Sequence, residues 1–168
     1  MMQLNLSDEL DQEIFDQGID VREIDLSEYG LDGHYYRTDD MRCPVITLST
    51  AVKGTYERNV LKAHELGNHY NCSRNIFEAP AWFQNKYKLL SKRWEIQRYM
   101  PLDKIILAVE HGNTTPFSIA DYLSIPLQSF LEGLVEYQVM CGPECVFNSY
   151  KIFLNPFKVK KVNRRNHP

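Results

Sequence analysis

The spacing of apolar residues changes several times along this chain, and each change predicts an element. Leu10, Ile14 and Phe15 share one side of a helix from Ser7, a candidate cap, to about Gln17, with Gly18 as its stop. Ile19, Val21 and Ile24 then recur at strand spacing, and Gly30-Leu-Asp-Gly33 reads as a turn. His34–Tyr36 and Val45–Leu48 read as two more strands, with Thr38–Asp40 between them as a hairpin turn. The first third is therefore a helix followed by a small antiparallel sheet. This is the layered opening of an α+β domain.

Helical spacing takes over from Thr55. A central helix runs to Tyr70, and a long one from about Ala79 to Tyr99 carries Trp82, Phe83, Tyr87, Leu90, Trp94 and Tyr99. Pro101 ends it. Leu102–Val109, Thr115–Leu123 and Leu127–Met140 form three further helices. Val146-Phe147 and Ile152–Leu154 close the chain as a hairpin around Asn148-Ser149, and Lys158–Arg165 is a basic tail.

The central helix departs from a plain amphipathic pattern. Val60, His64 and Asn68 make one row, with Leu61 and Glu65 beside it. Polar groups in an otherwise apolar stripe need partners, so this face predicts a site. His64-Glu65 opens the pattern H-E-x-x-H. In that pattern two histidines four apart bind zinc and the glutamate polarises a metal-bound water. Here Asn68 holds the second position and the histidine comes one residue late. At about 100° per residue, His69 points roughly 140° away from His64.

Composition narrows the class. A chain of 168 residues fits one domain with a small appendage, and 43% apolar with 24% charged residues is ordinary globular composition. The net charge of −3 gives no global pull toward nucleic acid. Ile119–Pro126 resembles a helix-turn-helix, but the helix after it offers Gln128, Ser129, Glu132 and Glu136, and its acidic residues would repel phosphate. The opening residues lack the basic and apolar regions of a signal peptide, and no apolar run is long enough to span a bilayer. A cytoplasmic location is expected, with the four cysteines as thiols, including the pair Cys141 and Cys145.

The order of the motifs resembles the ImmA/IrrE family of small metallopeptidases, in the form carried by phages and mobile elements. Ala63-His-Glu-Leu-Gly-Asn-His-Tyr70, Arg93-Trp94, Met100-Pro-Leu-Asp103, Gly112–Thr115, Ile119–Leu123 and Tyr150–Pro156 carry the resemblance over nearly the whole chain. It implies a zincin-like α+β fold over residues 1–100 and a helical part with a terminal hairpin over 101–168. In working members it implies zinc and cleavage of a helix-turn-helix repressor.

The resemblance also places the metal ligands. His64 is kept and Asn68 stands at the second position. The third ligand, a glutamate thirteen residues before the proline, falls on Lys88. Glu95 lies on about the same helix face, roughly 10 Å further along. His64, Glu65, Asn68 and Lys88 are then expected to form a structural cluster, with the Lys88 ammonium in place of the metal.

Three readings follow. The first is a pseudo-peptidase that needs no cofactor and binds a protein, either a repressor or a host defence nuclease. The second is an active zinc peptidase. Glu65 would be its base, His64 a ligand, and Tyr36 or Tyr70 an oxyanion donor, with His69 and Cys72 as substitute ligands. The third is a DNA-binding regulator using residues 115–140 and the basic tail. Neither nucleic acid nor membrane is an expected partner under the first two.

Overall fold

A computed structural model of the chain describes residues 5–38, 41–71 and 80–162. They belong to two units, Met1–Tyr99 and Met100–Pro168. No helix among the described residues is long and apolar enough to cross a membrane.

In the first unit, Asn5 rather than Ser7 caps helix α1 (Leu6–Asp16), its side chain accepting from the Asp8 backbone N–H at 3.0 Å. The capping amide lies two residues before the serine. Leu6, Leu10 and Ile14 form its buried stripe, and Gly18 turns the chain at φ 64°. Strands β1 (Asp20–Ile24), β2 (Gly33–Tyr36) and β3 (Val45–Ser49) form a sheet of order β1-β3-β2.

That sheet is mixed, not antiparallel as expected. β2 and β3 pair antiparallel, but β1 lies parallel on the far side of β3, with Val21 opposite Ile46. Only β2 and β3 pair as chain neighbours, and β1–β3 is a crossover pair with no such constraint. Part of the turn expected at Thr38–Asp40 lies outside the described residues.

Helices α2 (Thr55–Asn71) and α3 (Ala81–Tyr99) complete the unit. Ala63, Leu66, Ile96 and Tyr99 are buried with Ile46 and Leu48 of β3. α1 is tied to both helices by charge. Lys62 Nζ lies 2.6 Å from Asp11 Oδ1, and Arg98 reaches Glu9 and Glu13 at 3.1 and 2.6 Å.

The α2–α3 crossing is set by Gly67. A Cβ there would fall 2.8 Å from the Ser91 carbonyl oxygen and 3.4 Å from the Trp94 ring. Backbone cannot step aside as a flexible side chain can. Gly67→Ala is therefore expected to destabilise the fold by roughly 1–3 kcal/mol, despite the better helix propensity of alanine. Urea unfolding measures this, and a neutral result would show that the helices separate freely.

The second unit holds α4 (Leu102–Glu110), α5 (Pro116–Tyr122) and α6 (Leu127–Cys141), followed by β4 (Glu144–Phe147), β5 (Tyr150–Leu154) and β6 (Phe157–Lys161). Thr115 and Ser118 cap α5 reciprocally, and Ser124 at φ 58° makes the corner into α6. Ile105, Ile119, Ile125, Phe130, Ile152 and Leu154 are buried. The Tyr137 hydroxyl donates to the Met100 carbonyl at 3.0 Å.

Two expectations are corrected in this unit. The closing hairpin is a three-stranded antiparallel sheet, because the start of the supposed tail alternates as Phe157-Lys-Val-Lys160 and pairs with β5. Residues 163–168 lie outside the described residues. Cys141 and Cys145 are disulfide-bonded rather than thiols. Gly142, at φ 83°, ends the helix and brings their Cα atoms to 5.8 Å, within bonding reach.

Candidate functional site

The first unit contains a cleft of about 620 Å³. Its walls are the Gly30–Gly33 turn, the Ala51–Gly54 segment and one face of α2, and its lining includes His64, Glu65 and Glu95. β2 comes so close to α2 that a Cβ on Gly33 would lie 2.7 Å from Leu61 Cδ1 and 2.9 Å from Glu65 Oε1. Glycine at that position lets backbone form the wall.

Two linked pairs fill the floor. His64 Nδ1 lies 2.6 Å from Glu95 Oε2, and the other oxygen of Glu95 accepts from Lys92 Nζ at 2.8 Å. Glu65 accepts from Asn68 Nδ2 at 3.2 Å and from the Tyr35 backbone N–H. Glu95 is 1% exposed and Glu65 3%, whereas the His64 side chain is half-exposed.

The register of the two helices decides which α3 residue arrives. With Gly67 against Ser91 and His64 against Glu95, the helices run in opposite directions. One turn back from Gly67 faces one turn on from Ser91. Lys88 is one turn the wrong way and exposed. The structure thus brings together His64, Glu65 and Asn68, and replaces Lys88 by Glu95. Counting back from Pro101 missed Glu95. Ser91, Glu95, Ile96 and Tyr99 are the buried residues of α3, and only the packing of the helix on α2 brings Glu95 to the site.

The other sequence candidates lie elsewhere. His69 Nδ1 is 3.0 Å from the Tyr35 hydroxyl. Tyr70 donates to Glu13 at 3.0 Å and its ring packs on Trp94, and neither Tyr36 nor Tyr70 lines the cleft. Cys72 lies outside the described residues.

The donor set can be tested against zinc. A zinc centre takes three protein ligands, with a fourth position for water when catalytic. His64 and Glu95 supply one imidazole and one carboxylate. The remaining position, the second of the pattern, holds the Asn68 amide, with its nitrogen on Glu65. Among the described residues, no three His, Cys, Asp or Glu side chains are grouped to hold a metal ion. These residues do not fit zinc.

No protein-family model, curated protein or solved structure matches this chain.

Both titrating groups in the site are shifted upward, for different reasons. The hydrogen bond to Glu95 raises the pKa of His64, and burial raises that of Glu65. Each group binds its proton more tightly folded than unfolded. Stability from His64 is therefore full below the ordinary histidine range near 6.5 and lost as pH rises through the raised value. Burial of ionised Glu65 costs stability as pH rises above the ordinary carboxylate range. Both predict a melting temperature that falls from about pH 5 toward pH 8. Glu65→Gln should flatten the lower part of that slope and His64→Gln the upper part. A slope unchanged in both variants would place the titration elsewhere.

Proposed function

We propose that this chain is a zincin-like pseudo-peptidase of ImmA/IrrE type that binds a protein partner through its cleft and does not cut it. The observation that carries this reading is the Asn68–Glu65 hydrogen bond. The residue at the second ligand position engages the glutamate that would serve a metal-bound water. His64, meanwhile, is held by Glu95. The site is two sets of hydrogen bonds, His64–Glu95–Lys92 and Glu65–Asn68, beside an accessible cleft with Leu31, Val52, Val60 and Leu61 in its walls. Such a surface suits an inserted peptide segment. The resemblance implies a repressor as the partner, and a phage or mobile-element setting adds a host defence nuclease as the other candidate.

A second reading, an active zinc peptidase, gains from Glu95, because the site lacks one ligand rather than two. Affinity purification from cells carrying a candidate partner separates the two readings. The expected result is an intact partner, lost with Leu61→Asp and retained with Glu65→Gln. Recovery of a cleaved partner, with cleavage lost in Glu65→Gln, would establish the peptidase instead.

A further inference from the structure

The β4-β5-β6 sheet turns one face inward and the other to solvent. Cys145, Ile152 and Leu154 are buried on the inner face, where the Phe157 ring meets Phe130 of α6. The strand register fixes what lies outside. Val146, Lys151 and Lys160 form one cross-strand row, and Glu144, Phe153 and Lys158 the next. Lys151 and Lys160 place their ammonium groups 5.8 and 5.5 Å from the centre of the Phe153 ring, and at the sheet edge Lys161 lies 5.4 Å from that of Tyr150. Glu144 is the only carboxylate in residues 144–162 and pairs with Lys151 at 2.6 Å. Lys158 and Lys160 are exposed and form no ion pair among the described residues.

We propose that this outer sheet face binds single-stranded nucleic acid. The chain carries a net −3, but the two outer rows hold Lys151, Lys158 and Lys160 against Glu144 alone. The chain average therefore conceals a cationic surface. α6, the acidic helix on which a helix-turn-helix reading depends, packs on the opposite face of this sheet. Alternate residues of a strand are about 7 Å apart. Lys158 and Lys160 therefore repeat at close to the spacing of successive phosphates on an extended strand.

The rest of the face suits bases. Phe153 is half-buried on the central strand β5, and Val146 beside it is 68% exposed. Base faces stack on such rings without sequence preference while lysines follow the backbone. A duplex is read by an element that enters a groove, and this face offers none.

The test is fluorescence anisotropy of the full chain with labelled oligothymidylate and oligouridylate. Binding is expected at low salt, with a slope of log affinity against log salt near −2, about 0.7 for each of three lysines. Lys158→Glu with Lys160→Glu should weaken binding at least about ten-fold and take most of the slope away. Phe153→Leu should weaken it about ten-fold with the slope unchanged. Circular dichroism confirms that the variants fold. The proposal is overturned by no binding at low salt, by binding that survives the double glutamate variant, or by a duplex bound as tightly as the single strand. Uptake on phosphatidylserine vesicles without oligonucleotide binding also overturns it and assigns the face to membranes.

Discussion

Asn68→His is expected to make this chain bind zinc. Residues 64 and 68 lie one turn apart on one face of α2, so the new imidazole stands beside His64. Glu95 already reaches His64 Nδ1 at 2.6 Å from α3. Two imidazoles and one carboxylate form an ordinary catalytic zinc set with one position open. Zinc must displace the proton on His64 and compete with Lys92 for Glu95, so affinity should rise with pH. At free zinc about a hundred-fold above Kd, the gain in stability is about 2.7 kcal/mol. Thermal unfolding with zinc and with chelator, alongside elemental analysis, reads this directly. The unaltered chain should show neither uptake nor a shift. Glu95→Gln added to Asn68→His should abolish the gain, and Lys88→Glu should add nothing. Zinc uptake that depends on position 88 and not on 95 would mean that the helix register described above is wrong.

That register marks where the sequence could be read and where it could not. Helices α2 to α6 were legible from helical spacing, with Pro101 after α3, Gly112 after α4 and Pro126 before α6 as punctuation. His64, Glu65 and Asn68 were legible as one site because a single helix places them. Glu95 was not, because its position depends on how α3 packs against α2. A backbone contact fixes that packing, at Gly67 and Ser91, and periodicity within either helix does not reveal it. β1 illustrates the same limit, since its alternation identifies a strand but not the partner beside which it runs. The Cys141–Cys145 bond is a related case. The sequence supplied two thiols, and only the turn at Gly142 placed them within reach.

The second large effect is expected from removing both partners of Glu95. Its carboxylate is 1% exposed and is held by His64 on one oxygen and Lys92 on the other. His64→Leu with Lys92→Met leaves a buried charge with no partner. Breaking such an arrangement costs roughly 3–5 kcal/mol, most of it from the stranded ion rather than from lost attraction. Glu95→Leu on top of the pair should restore most of the stability at neutral pH, because an apolar side chain suits a position between Ser91 and Tyr99 on the buried stripe of α3. Lys88→Met, by contrast, changes an exposed residue outside the network and should stay within about 0.5 kcal/mol. Urea unfolding of the four proteins at acid and neutral pH gives every comparison. If the triple variant is no more stable than the double, the cost lies in lost packing around His64 and Lys92. Glu95 would then not be the residue whose charge the site is built to hold.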